Sequence, residues 1–410
     1  MSASGATRVL PFEDARRLVE HHTSQIHPAD TETLDLLSTF ARVLAEPIQA
    51  DRDFPPFARA TRDGYAVRAE DVAHIPARLE IAGEIKAGDW PDACSVQRGQ
   101  AAGIMTGAPL PTGADAVVMI EHTASEAQSV EVRRTITTGE NFVARGAEAR
   151  AGQLLLNRGR KLDHAAIAIA ASVGKSQVQV FRKPRIAILS TGDEVVDINA
   201  TPGPAQIRNS NSYSLAAQVQ NAGGDPIRLS IAPDERSRLR SLIEEGLTYD
   251  LLLLTGGVSM GKYDLVEQVL ADLNAEFYFT GAAIQPGKPI VFGSCGKKYF
   301  FGLPGNPVST MVTFELFAKP MIEALAGMSP QPLIFPRARL KSEIRTKTGL
   351  KRFLPAVLTG EFENAEVELA RWQGSGDIAA LDRANCYIVI PHDRERIDAG
   401  EWVPLLMRSY

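Results

Sequence analysis

Cysteine is scarce in this chain. Its 410 residues hold three, Cys94, Cys295 and Cys386, far apart and without Cys-x-x-Cys spacing, which excludes a disulfide framework and a thiolate zinc site. We expect each to be a small buried apolar residue. Histidine is also scarce, seven in all, and even the His21-His22 pair lacks convincing metal-ligand spacing. An excess of basic charge is missing. Forty-four Lys and Arg stand against 49 Asp and Glu, a net charge of −5, so no global field draws the chain to nucleic acid or anionic lipid. The longest apolar stretch, around Ala165 to Val173, is too short to span a bilayer, and the start of the chain does not resemble a signal peptide. The expectation is a cytoplasmic globular protein that binds neither nucleic acid nor membrane.

The length exceeds one ordinary core and suggests roughly two to four domains. Phe12, Ala15, Leu18 and Val19 recur at helical intervals behind Pro11, which predicts a helix over 10–22; a second helical pattern covers Leu37 to Glu46. After Pro47 the texture turns to Gly, Pro and short alternating runs, predicting a separate small β domain over residues 50–140. Asp163 reads as the N-cap of a helix ending near Val173. From residue 183 strands and helices alternate: strand Arg185 to Ser190, helix Ser212 to Asn221, strand Ile227 to Ile231, helix Asp234 to Leu247, strand Leu251 to Leu254, helix Tyr263 to Leu273. That alternation is the pattern of a doubly wound α/β domain, placed at 183–328. Short strands bounded by Gly and charged turns follow over 329–410 and read as a closing β domain.

Four glycine- and proline-rich turns stand where apolar runs end: Ser190-Thr-Gly-Asp-Glu194, Thr255-Gly-Gly-Val-Ser-Met-Gly261, Gln285-Pro-Gly-Lys-Pro289 and Pro304-Gly-Asn-Pro-Val-Ser309. Open α/β sheets bind ligands at the carboxyl ends of their strands. In the second turn Gly256, Gly257, Ser259 and Gly261 let backbone N–H groups converge on an anion; a structural turn is the bland alternative. The turn is neither a Walker nor a Rossmann fingerprint. It does match the G-x-S-x-G elbow of serine hydrolases, with Ser259 as nucleophile, but the only later histidine is His392. Asp234 and Asp264 each stand at a helix start after a parallel strand, where they are either caps or a pair holding a divalent cation. Glu194, beside Asp193, is a metal ligand, a general base or a solvated turn charge. Lys288 is aimed by rigid neighbours at an oxyanion, or lies at the surface. Gly305, Asn306 and Ser309 open a helix with free N–H groups and a hydroxyl. Asp63 lies among Arg59, Arg62 and Arg68, and Thr106 in a tight turn; alone, neither establishes a site.

Taken in order, Asp63-Gly-Tyr-Ala-Val67, Met105-Thr-Gly-Ala-Pro109 and the four turns resemble the molybdopterin molybdenumtransferase family, which comprises MoeA and the E domain of gephyrin. The resemblance covers nearly the whole chain. It implies a multidomain α/β plus β fold: an elongated helical N-terminal domain from 1–49 with 141–182, the inserted β domain, a central doubly wound α/β domain of the molybdopterin-binding type, and a C-terminal β-barrel. It implies a homodimer whose cleft lies between the α/β domain of one subunit and parts of the other, and a molybdopterin adenylyltransferase as partner. The implied reaction is insertion of molybdenum from molybdate into adenylylated molybdopterin, with release of AMP and with Mg2+ or another divalent cation. Asp63, Glu194, Asp234 and Asp264 are the implied catalytic carboxylates. Thr106, Gly256, Gly257, Ser259, Gly261, Lys288, Gly305, Asn306 and Ser309 are implied to bind substrate; Lys288, Arg352 and Ser375, the last within Gln373-Gly-Ser-Gly376, are implied to meet molybdate. A non-catalytic molybdopterin-binding scaffold is the alternative within the same family. The chain departs from the family pattern at Gln285, Ala147, Leu350 and Pro355, where a lysine, a carboxylate and two arginines are expected; Lys351 and Arg352 are the candidates to compensate.

Overall fold

The fold follows from where the apolar runs can be buried. In the computed structural model, which describes residues 8–28, 30–257 and 265–408, Leu251 to Leu254 are fully buried, as a parallel strand covered on both faces must be. Each such side chain contributes about 1.5–3 kcal/mol of burial. Strand Leu251–Thr255 runs in the middle of a six-stranded sheet ordered 225–228, 185–190, 251–255, 298–303, 291–295, 276–279. The first four strands are mutually parallel and the fifth is antiparallel to them. Helices Asn211–Asn221, Arg236–Gly246 and Leu265–Asp272 connect them.

One apolar core runs beyond this domain. It joins Phe12, Ala15 and Val19 of helix Phe12–Thr23 to Phe317 and Ile322, and reaches Phe353, Tyr387 and Leu406 of the C-terminal region. The N-terminal helix is therefore packed on the α/β domain. Strands 351–359, 366–369, 337–340, 402–407 and 386–390 close into a barrel, because 351–359 also pairs with 386–390. Closure removes the sheet edges. The inserted region forms another six-stranded sheet, ordered 116–119, 64–67, 100–104, 77–85, 129–132, 123–125, with an apolar cluster on each face.

Residues 31–49 and 141–181 make mostly short strand pairs, Thr31–Asp35 with Gln177–Phe181 and Ile48–Gln49 with Leu154–Leu156, and a single α-helix, His164–Ser172. Asp163 caps that helix, accepting from the Ala166 N–H at 2.8 Å. The helix predicted over Leu37 to Glu46 does not form. Only a 3-10 turn at Leu36–Thr39 appears, Ala41 has a positive φ of 61°, and the Leu44 and Ala45 N–H groups donate to the carbonyls of Arg160 and Gln179. Long-range strand-like bonds here outweigh helical periodicity. Cys386 is buried as expected, but Cys94 and Cys295 are only half-buried. Among the described residues no helix is long and apolar enough to cross a membrane.

Candidate functional site

At the carboxyl ends of the parallel strands lies a cavity of about 990 Å³, walled by the α/β domain on one side and the barrel on the other. Of the residues singled out in the sequence, Glu194, Gly256, Gly257, Lys288, Gly305, Asn306, Ser309, Arg352 and Ser375 line it. Ser259, Gly261 and Asp264 lie outside the described residues.

The glycine pair shows why this strand end is a cradle. Gly256 and Gly257 have φ of +90° and +60°, and a Cβ on Gly256 would stand 2.5 Å from the Thr191 carbonyl oxygen, one on Gly257 2.7 Å from Thr191 Oγ1. The two strand ends are thus in direct contact, a closeness that only glycine permits. Asn211 locks the same corner, its Nδ2 donating to Thr255 Oγ1 at 2.9 Å and to the Gly305 carbonyl at 2.7 Å. Among the described residues the buried Thr191 Oγ1 and Asn211 Oδ1 have no hydrogen-bond partner.

Helix Pro307–Thr313 starts at the cavity behind Asn306. Its first turn is less open than its sequence suggests, because the Val308 N–H donates to the Ser375 carbonyl at 2.9 Å. That bond has a second effect: it fastens the Gln373-Gly-Ser-Gly376 loop of the barrel to the α/β domain and sets Ser375 at the cavity wall.

The barrel also delivers Arg352. Strand Ile284–Gln285 pairs in parallel with Lys351–Arg352, Gln285 opposite Arg352. Arg352 is 7% exposed, its Nη1 donates to the Leu350 carbonyl at 3.0 Å, and no carboxylate pairs with it among the described residues. Burial lowers its pKa from the usual arginine value. Such a cation is poised for an anionic ligand. Of the two residues expected to compensate for the lost arginines, only Arg352 reaches the cavity; Lys351 ion-pairs with Glu13. Arg208 and Lys347 bring the described cationic side chains of the lining to four with Lys288 and Arg352, against Glu194 as the one described carboxylate.

Several of the singled-out residues are not brought to this cavity of their own chain. Asp234 is not among the lining residues; its backbone N–H donates to Asp193 Oδ1 at 3.0 Å, and Asp264, its expected partner, lies outside the described residues. Asp63 and Thr106 do not line the cavity either. They lie just outside strands 64–67 and 100–104 of the inserted sheet, where the Thr106 N–H donates to Asp63 Oδ1 at 2.6 Å; that backbone bond, then the Thr106 side chain, hold the Asp63 carboxyl below its usual range. Glu148, next to Ala147, pairs with Arg59 at 3.1 Å and is not among the lining residues. Among the described residues no histidine lines the cavity.

Sequence reasoning missed Thr191, Asn211, Arg208, Lys347, Thr348 and Trp372, all of which line the cavity. Thr191 sat within a motif already singled out. The barrel residues carried no local signal, since their relevance depends on how the barrel docks.

Comparison with known proteins agrees with this architecture. The family models described as MoeA N-terminal region (domain I and II), probable molybdopterin binding domain, and MoeA C-terminal region (domain IV) match residues 10–174, 187–324 and 337–407. A molybdopterin molybdenumtransferase of Nostoc is 37% identical over 92% of this chain and 88% of its own length, and one of Bacillus subtilis 32% identical over 97% and 94%. A solved molybdopterin biosynthesis MoeA protein of Pyrococcus horikoshii is similar with a TM-score of 0.77 at 29% identity, covering 98% of this chain and 100% of that one. By sequence along nearly its whole length, and by the fold that builds the cavity, the chain belongs to the molybdopterin molybdenumtransferase family.

Proposed function

We propose that this chain is a molybdenum insertase, binding adenylylated molybdopterin and molybdate in the cavity between the α/β domain and the barrel and releasing AMP as the metal enters the dithiolene. The observation that carries the reading is Arg352, a buried guanidinium without a carboxylate partner among the described residues, on the wall of the same cavity as Lys288 and the Gly256–Gly257 cradle. Backbone N–H groups at the strand ends suit the pyrophosphate of the nucleotide. Arg352, Lys288 and Ser375 suit the tetrahedral oxyanion. Insertion is redox-neutral: two Mo–S bonds form, the two thiol protons leave with one oxo group as water, and a second water cuts the phosphoanhydride to give AMP and the phosphate monoester. The protein's share is to orient both anions and neutralise their charge.

The cytoplasm is the compartment of this reading, and the divisions at 50–140, 183–328 and 329–410 are its domains. Asp63 and Thr106 do not line their own chain's cavity, which favours a homodimer in which they complete the partner's site; the adenylyltransferase that makes the substrate is the natural partner. For the divalent cation, usually magnesium in this family, Glu194 is the one carboxylate that the described residues bring to the cavity, and a cation held there would neutralise phosphate charge. The test incubates the purified chain with adenylylated molybdopterin, molybdate and magnesium. Molybdate-dependent AMP release supports the reading, and its absence removes the enzymatic claim.

A further inference from the structure

We propose that Glu13 is a positioning residue for the oxyanion site: by holding Lys351 on one face of barrel strand 351–359, it keeps the neighbouring Arg352 turned into the cavity on the other. The proposal rests on the reading of that cavity as the molybdate site.

Successive side chains on a strand point to opposite faces. Lys351 and Phe353 share the face that meets the N-terminal helix. Lys351 ion-pairs with Glu13 and stands 4.8 Å from the centre of the Phe12 ring, while Phe353 packs on Phe12 with ring centres 5.3 Å apart. Leu350 and Arg352 share the other face and line the cavity.

The backbone is stitched along the same line. Val9–Leu10 pairs in parallel with Gly281–Ala282, the Ala283 N–H donates to the Leu10 carbonyl at 2.7 Å, and the Lys351 N–H donates to the Ala283 carbonyl at 3.0 Å. The segment 9–13, the turn that carries Lys288 and the start of the barrel strand are thereby one unit. Arg352 makes a single side-chain hydrogen bond among the described residues, to the carbonyl of Leu350, so its own bonds do not fix its direction. What sets it is the strand's orientation. Lys351 is 20% exposed and Glu13 55%, and the pair closes the seam between helix and barrel from outside. Burial alone raises the Glu13 carboxyl, but the Lys351 hydrogen bond and charge prevail and leave it below its usual range.

The experiment uses the full chain with Glu13→Gln, Lys351→Met and the charge-swapped double variant Glu13→Lys/Lys351→Glu. Molybdate alone is titrated by calorimetry, and molybdate KM and kcat are read from AMP release. Because an exposed ion pair is modest, each single variant is expected to raise the molybdate Kd and KM about three- to fivefold with kcat little changed, and the swap to recover most of the loss. Unchanged Kd in both single variants overturns the proposal, as does a swap that restores melting temperature but not Kd. A wild-type chain that binds molybdate without releasing AMP would overturn the insertase reading while leaving the Kd comparison as the test of positioning. A wild-type chain that binds no molybdate overturns both.

Discussion

Gln285 lies directly opposite Arg352 in the two-residue parallel pairing that joins the α/β domain to the barrel. A neutral residue thus neighbours a buried cation that has no carboxylate partner among the described residues. Like charges directly opposite each other across strands are destabilising. Gln285→Lys is therefore expected to lower the melting temperature of the free protein, and saturating molybdate to remove the difference. Thermal melts with and without molybdate check both halves.

Arg352→Ala should weaken the site at little structural cost. Charged hydrogen bonds contribute roughly 1.5–3 kcal/mol, so molybdate KM should rise about ten- to a hundredfold. Arg352→Met should leave stability unchanged or raised, since a buried cation without a counter-ion is replaced by an apolar side chain. Steady-state kinetics and urea midpoints on the same preparations separate the two effects.

Gly256→Ala meets both a backbone barrier and a carbonyl oxygen. The positive φ of this residue costs an L side chain about 1–2 kcal/mol, and the 2.5 Å approach to the Thr191 carbonyl forces the two strand ends apart. The expected outcome is a lower urea midpoint together with loss of AMP release. Retention of full activity would show that the strand ends do not need this closeness.

Asp63 and Lys288 stand on different domains, and only Lys288 lines its own chain's cavity. If two copies complete one another's sites, mixing Asp63→Ala and Lys288→Ala chains should restore activity that neither has alone. Random re-association gives about half heterodimers with one intact site each, hence about a quarter of wild-type activity. No recovery after verified subunit exchange would place both residues in the same chain's chemistry.

The Asp163 cap has a defined pH sign. The Ala166 N–H, opposed by burial and aided by Arg160, holds its carboxyl below the ordinary 3.8. A depressed folded-state pKa stabilises fully above the unfolded value and is lost as pH falls through the folded one. Asp163→Ala should lower the urea midpoint at neutral pH, and the gap to wild type should shrink as pH drops below about 4. A gap that stays constant into acid would assign the loss to packing.

Much of the α/β domain was legible because its signals are local. Leu251 to Leu254 form a continuous apolar run, Asp163 stands one residue before a helix, and the glycine turns follow strand ends within a few residues. The segment around Leu37 to Glu46 misled because its Val43 and Leu44 are bonded to residues more than a hundred positions away, and no window on the sequence contains that partner.

The sequence by itself determined the strands, the glycine turns that let them touch, and the carboxylates and cations available to a phosphate-rich ligand. Only the tertiary structure decided which of them meet. Burial of Phe12, Phe317 and Phe353 in one shared core docks the barrel on the α/β domain, and the parallel pairing of Gln285 with Arg352 and the Val308–Ser375 bond fix its angle. That docking selects Arg352 over Lys351 for the cavity and leaves Asp63, Thr106 and Asp234 outside it. Side-chain chemistry is carried residue by residue along the chain, whereas the company each residue keeps follows from burying apolar surface across distant segments.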